Sequence, residues 1–376
     1  MLVGDEPHVP YDRPPLSKEF LRGEKPQAQL LFDPEQYFLD HRIALKLGIA
    51  VQRLDSRAKT VTLATGETIA FEKALIATGG RPVLLAAARN VPRVHYLRTI
   101  DDAAAIAAHA APGTRAVIIG AGFIGLEVAA SLTQRGVQVT VIEVGSHIWP
   151  RFTDATLAGY FQSYCAQKGI AFHTNDTVVD LRPQQSGGSV ITRSGKTLPC
   201  DFACAGVGIV PNVELAVEAG LLVENGVVVN EYLQTSHPDI FAAGDVANYP
   251  DPYSGKRRRV EHWGHAEYCG QIAGQNMAGA LVPYDLLTYV WSDIFDLHLE
   301  FAGDESEHDQ ILMRGRFEDK SFIVLYLKNH RLRAYFAINT KAKEFPALQR
   351  LIKQRTDLSG KDAQLQDQAV PLKSLG

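Results

Sequence analysis

The chain has 376 residues, 46% of them hydrophobic and 21% charged, with a formal net charge of -4, enough to bury large cores in two or three domains. That balance points away from nucleic acid, and the one dense basic run, Lys256 to Arg259, reads as a solvated loop. No apolar run approaches the roughly 18 residues of a membrane span and the first residues carry no signal-peptide pattern, so the expectation is a soluble, cytoplasmic protein with no membrane partner.

In chain order, MLVGDEPHVPYDRPPLSK comes first: Met1 to Val3 read as the end of a strand, followed at once by turn chemistry. Residues 45–82 then run helix end, Gly-Ile-Ala, strand, meander and an apolar strand ending in glycine, and residues 166–211 repeat that order. The second copy is preceded by a complete βαβ unit at 115–150. It predicts a strand at Ala116 to Ile119, a helix at Gly122 to Arg135, a stop at Gly136, a second strand at Val137 to Ile142, and then Glu143. Laid on this unit, Met1 to Val3 fall on the end of the second strand. The first copy is therefore expected to lack about 28 residues, Ala116 to Glu143 inclusive in the second, so that the chain begins inside its first module.

Asp239 to Ala242 predict a short buried strand leading into Gly244 and Asp245, and a helix follows from about Gly264 to Met277. From about Leu286 the pattern changes to strand-rich segments, LHLEFAGD, QILMRGRF, SFIVLYLK and RLRAYFAIN, then a helix near Lys343 to Gln354, which predicts an α+β domain. The polar stretch from Asp357 to Gly376 reads as a loosely held tail.

Two features bear on chemistry. Cys165, Cys200, Cys204 and Cys269 form no CxxC pair, and LPCDFACAG alternates into a buried strand, so they read as reduced core cysteines. Gly120, Ala121, Gly122, Phe123, Ile124 and Gly125 form a GxGxxG after a strand and at the start of a helix, with Glu143 after the next strand. In that context Gly120 permits the turn, Gly122 admits a pyrophosphate to the helix N-terminus, and Gly125 lets helix and strand approach. A carboxylate at Glu143 suits ribose hydroxyls and repels a 2'-phosphate, which favours NADH over NADPH. The twelve histidines show no metal-ligand spacing, so no metal is expected.

PYDRPPLSKEFL, ATGGRP, YLRTIDDA, GAGFIGLEVAA, GVGIVPNVELA, FAAGDVA and RRVEHWGHA occur in that order. The set resembles the oxygenase-coupled, FAD-dependent NADH:ferredoxin reductases and the related apoptosis-inducing-factor-like flavoproteins, within the pyridine nucleotide-disulfide oxidoreductase superfamily. The resemblance implies an α/β fold: two Rossmann-like domains, the first without its initial strand and helix, and a C-terminal α+β domain. The expected bounds are 1–100 for the first part of the FAD domain, 101–206 for the NADH domain, 207–285 for the second part of the FAD domain, and 286–376 for the C-terminal domain.

The resemblance also implies roles. Arg13 and Arg98 would contact FAD phosphates, the main chain of Val51 the adenine, Asp245 the ribityl chain, and the Glu261, His262 and Trp263 backbone the pyrimidine edge. Glu261 is counted with the NADH residues, as are Gly208, beside the path of NADH, and Trp291, near nicotinamide and flavin. Lys18 and Glu127 would meet beside the flavin as the catalytic pair. For Lys18 and Glu127 the alternative is a solvated lysine and a first-turn acid; for Trp291 it is core packing. The implied activity is hydride transfer from NADH to flavin, then single electrons to a ferredoxin or Rieske-type iron-sulfur protein, with a homodimer left open. Two alternatives stand beside it. One is a truncated, non-catalytic or regulatory NADH-binding protein that holds no FAD firmly; the other is a single-Rossmann dehydrogenase.

Overall fold

Arg115 to Ile119 is apolar on both faces after its first residue, as a strand covered on both sides of a parallel sheet must be. The computed structural model describes residues 1–149 and 153–376; Pro150, the end of the βαβ stretch read from sequence, lies outside them. The strands that position the site are β1 (Leu2–Val3), β2 (Leu45–Lys46), β3 (Ala74–Ile76), β4 (Val94–Tyr96), β5 (Arg115–Ile119), β6 (Gln138–Ile142), β7 (Ala171–His173), β8 (Phe202–Ala205) and β9 (Ile240–Ala242). The helices are α1 (Glu19–Arg22), α2 (Phe123–Gln134), α3 (Ala155–Gln167), α4 (Trp263–Met277) and α5 (Phe345–Lys353).

The chain divides into two compact units. One comprises Met1–Asp12, Leu30–Arg81 and Val210–Val290; the other comprises Arg13–Gln29, Pro82–Ile209 and Trp291–Gly376. In the second unit β7, β6, β5, β8 and β4 form a parallel sheet in that order, with Ala116 opposite Val139 on one side of β5 and opposite Phe202 on the other. The helix α2 connects β5 to β6 as the crossover of a βαβ unit.

The first unit repeats the pattern with a difference. Here β1 pairs in parallel with β2, and β3 in parallel with β9. No strand among the described residues joins β1 to β3, so two two-stranded pieces stand where the second unit has five strands. Both units carry the three-stranded antiparallel meander of the repeat, at Val51–Asp55, Thr60–Leu63 and Thr68–Ala70 in the first and at Val178–Arg182, Ser189–Thr192 and Thr197–Pro199 in the second.

The C-terminal sheet contains β10 (Tyr289–Ile294), β11 (Leu297–Gly303), β12 (Gln310–Arg316), β13 (Ser321–Lys328) and β14 (Arg331–Ile338), in the order β10-β11-β14-β13-β12. Its apolar face joins the core of the second unit: Trp149 packs edge-on to Phe161 of α3 at 4.9 Å and lies 6.2 Å from Phe336 of β14. The fold is thus two Rossmann-like modules and a C-terminal α+β domain.

One expectation is corrected. The stretch from Asp357 onward is a docked segment and not a loose tail, because Leu358, Leu365, Leu372 and Leu375 are buried. The buried Arg314 donates to the backbone carbonyls of Leu365, Asp367, Gln368 and Val370. Satisfying a guanidinium with main-chain oxygens is what permits its burial.

Candidate functional site

Three glycines after β5 answer to different physical demands. Gly120 has φ of 99° and a Cβ there would lie 2.5 Å from the Gly206 carbonyl oxygen, so both conformation and space require glycine. A Cβ on Gly125 would strike the Gly120 carbonyl oxygen, which lets the first turn of α2 close on the end of β5. Gly122, the N-cap of α2, differs, because its φ of -76° suits any residue and a Cβ would meet nothing within 4 Å. Open space in front of a helix N-terminus is the form an anion site takes. Gly208, with φ of 104°, likewise faces open space.

Glu143 follows β6 and is buried, its carboxylate accepting hydrogen bonds from the backbone N–H groups of Ala121 and Gly145, each at 2.7 Å. Those two bonds tie the acid to the glycine turn and leave further lone pairs on the carboxylate. Phe123 packs against Trp149 at 5.3 Å, whereas Ile124 is largely exposed beside the turn.

The second element of the site lies in the same unit. Lys18 is placed where the short helix Pro14–Ser17 passes into α1, and its Nζ lies 2.9 Å from Oε2 of Glu127, with both side chains about 95% buried (5% and 4% exposed). The Ser17 hydroxyl also donates to Glu127 Oε2, and the Ser292 hydroxyl donates to Oε1 at 2.6 Å. Lys18 Nζ donates to the Pro14 carbonyl at 3.3 Å and sits 4.9 Å from the centroid of the Trp291 ring. Removing an ion pair from water costs several kcal/mol, so this pair is a poor stability device. Three partners on one carboxylate, Lys18, Ser17 and Ser292, fix its position, and the ion pair in turn fixes the Lys18 Nζ beside the indole. Lys18, Glu127 and Trp291 are therefore brought together. Ser17 and Ser292 were not singled out from sequence, although each is adjacent to a residue that was.

The other expected site residues fall in both units. Arg13 and Arg98 meet in the second, where an Arg13 guanidinium N–H donates to the Arg98 carbonyl. In the first unit, Val51 opens the meander, and Asp245 is the middle residue of the turn Gly244–Val246 after β9, its carbonyl accepting from Arg259 at 3.2 Å. Glu261 pairs with Arg259 at 2.7 Å. His262 caps α4, its Nδ1 accepting the Gly264 N–H at 3.3 Å, and Trp263 is the first residue of that helix.

The four cysteines are buried and free. Burial pushes the Cys165 and Cys200 thiols up to about 12, which keeps them unreactive. Among the described residues no group of three or more His, Cys, Asp or Glu side chains comes together as a metal site.

Residues 1–270 match the family described as pyridine nucleotide-disulphide oxidoreductase. The chain belongs to that family. Residues 289–376 match a second description, reductase C-terminal, so the oxidoreductase carries the α+β domain as a recognised module. Rhodocoxin reductase of Rhodococcus erythropolis is 35% identical over 364 residues, covering 96% of this chain and 85% of that protein. Putidaredoxin reductase of Pseudomonas putida is 31% identical over 381 residues, covering 100% and 90%. Among solved structures, the reductase in a covalent putidaredoxin reductase-putidaredoxin complex aligns with a TM-score of 0.93 at 31% identity, over 100% of this chain and 91% of that one. A ferredoxin reductase from Rhodopseudomonas palustris also gives 0.93, at 32% identity and with 99% and 92% coverage. The disulphide in the family description has no counterpart among the four buried, unpaired cysteines.

Proposed function

We propose that the chain is a FAD-dependent oxidoreductase that takes a hydride from NADH and delivers single electrons to a ferredoxin or Rieske-type iron-sulfur protein. The observation that carries this reading is the buried Lys18–Glu127 pair beside Trp291, in the same unit as the Gly120 to Gly125 turn. Reductases similar over nearly the whole chain support it, and the non-catalytic alternative is not favoured. The domain bounds expected from sequence, 1–100, 101–206, 207–285 and 286–376, belong to the same proposal. A cytoplasmic location is also part of it, supported by four unpaired cysteines; no helix among the described residues is long and apolar enough to cross a membrane.

The residues present fit both nucleotides. The space at Gly122 and the α2 N-terminus suit the NADH pyrophosphate, and Glu143, already oriented by two amides, suits ribose hydroxyls. Gly208 leaves room for the rest of the dinucleotide. For FAD, each unit taken by itself offers groups of the right kind: Arg13 and Arg98 in the second supply cations for phosphates, and in the first Val51 offers a main-chain edge for adenine and Asp245 an acceptor for ribityl hydroxyls. The His262–Trp263 turn offers a helix N-terminus that favours negative charge.

When bound, FAD supplies the ring that takes two electrons from NADH and releases them one at a time. The protein's part is positioning and charge. Glu127, gripped by Ser17 and Ser292, holds Lys18 as a preorganised ammonium that stabilises negative charge arriving nearby. Trp291 excludes water from one side of that ammonium and limits where a second ring can lie.

The test is anaerobic mixing of the protein, FAD and NADH with a small [2Fe-2S] ferredoxin. NADH-dependent loss of the iron-sulfur absorbance supports the reading. Flavin reduction with an unreduced ferredoxin removes the acceptor, and no reduction of either removes the enzyme.

A further inference from the structure

The hairpin of β10 and β11 carries a second charged pair that the proposed reaction does not use. His298 Nδ1 lies 2.7 Å from Asp293 Oδ1, and its ring lies roughly parallel to Trp291, with centroids 6.4 Å apart and an interplanar angle of 26°. Trp291 thus has Lys18 and His298 as neighbours, at 4.9 Å and 6.4 Å from its ring centres. The backbone at His298 is fixed, its N–H donating to Asn339 Oδ1 and its carbonyl accepting from Asn339 N–H, both at 2.8 Å. The imidazole is about half exposed (48%) and lines a cavity of about 320 Å³ that also reaches Lys18, so protons from solvent have access to it.

We propose that His298 is a titratable positioning residue for the Lys18–Trp291 corner, holding the indole in place and setting the net charge beside the Lys18 ammonium. This rests on the function proposed above for what Lys18 does, although not for the titration itself. The charge count is short. Lys18 with Glu127 is neutral, and His298 with Asp293 is neutral while the imidazole is protonated; on deprotonation Asp293 remains as a negative charge that the imidazole no longer balances. The other facing groups do not cancel that change. Arg22 is within electrostatic reach of Asp293 in both states of the imidazole, but its guanidinium is closed on Glu24 at 2.7 Å and faces Glu19 at 3.9 Å. Asp296 is held by Lys168 and Lys320, and Glu300 is buried under the Tyr335 hydroxyl.

The direction of titration follows from the neighbours. The hydrogen bond that His298 donates to the Asp293 carboxylate raises the His298 pKa above its ordinary value and outweighs partial burial, with Glu300 raising it further and Lys18 lowering it. A raised folded-state pKa means the clamp is complete below the ordinary value of about 6.5 and is lost as pH rises through the shifted one. An added negative charge near Lys18 weakens its hold on negative charge elsewhere, so reduction by NADH should slow as pH rises, by roughly threefold to tenfold at an effective dielectric near 20.

The experiment reads the corner directly. Trp291 fluorescence is followed from about pH 5 to about pH 9 in the full chain without NADH, with Trp291→Phe identifying its share of the emission. Imidazolium quenches indole more strongly than imidazole, so emission should rise with a midpoint above about 6.5. That inflection should vanish in His298→Gln and shift to lower pH in Asp293→Asn. A flat wild-type profile, or the same inflection in His298→Gln, overturns the proposal, and the Asp293→Asn shift keeps it testable if the glutamine variant fails to fold. The pH profile of flavin reduction should lose the corresponding step in His298→Gln; an unaltered step overturns the effect on the reaction. An intact fluorescence inflection without any flavin reduction would instead count against the proposed function alone.

Discussion

The two modules share a meander and parallel strand pairs; among the described residues, a strand, a glycine turn and a helix stand at the centre of the second. In the second, β5 pairs with β6 and β8, and the turn it launches leaves open space at Gly122, in front of the α2 N-terminus. In the first, β1–β2 and β3–β9 are separate pieces, and Met1, Leu2 and Leu75 are exposed on them, at 63%, 36% and 36%. The central strand therefore does two jobs in a Rossmann-like module. It joins the sheet halves, and it delivers the helix N-terminus that meets a phosphate.

The largest consequence should appear in backbone protection. Amides of β5, β6 and β8 should exchange at least about 10³-fold more slowly than those of β1 and β2, since isolated strand pairs open at low cost; equal protection would erase the distinction drawn between the modules. Next in size, Gly125→Val forces a side chain into the Gly120 carbonyl and should cost about 3 kcal/mol or more in urea unfolding. Breaking the buried pair with Lys18→Met should cost a similar amount, about 3 kcal/mol. Most of that loss should return in Lys18→Met/Glu127→Leu, and a double variant as unstable as the single would place the cost elsewhere. The smallest effects are expected at the corner itself. Gly122→Ala should leave stability within about 0.5 kcal/mol while weakening NADH binding, measured by calorimetry. Glu143→Gln should narrow the preference for NADH over NADPH by about tenfold, and an unchanged ratio would remove the ribose role.

Features written in short spacings were legible. The glycine turn, its helix and the acid after β6 lie within one βαβ unit, and the modular repeat follows from order and type of residues. The Lys18–Glu127 pair was reached through family resemblance, not through periodicity, because its partners are far apart in the chain. Ser292 bonds to Glu127 across 165 positions, and no local pattern announces such a contact. His298 is similar in kind, since its meaning comes from a hairpin that brings Asp293 and Trp291 to it. The C-terminal segment was misjudged on its polar composition. Leu358, Leu365 and Leu372 recur at seven-residue intervals, a signal of one buried face that composition alone conceals.

The central claim is that this chain uses NADH to reduce a bound flavin beside Lys18. The direct measurement is the anaerobic visible spectrum of the FAD-reconstituted protein during addition of NADH, with Lys18→Ala alongside. The account predicts near-stoichiometric flavin bands that bleach on NADH addition, and slower bleaching in Lys18→Ala with NADH affinity nearly intact. A protein that binds NADH yet holds no flavin, or whose flavin bands persist in excess NADH, would contradict it.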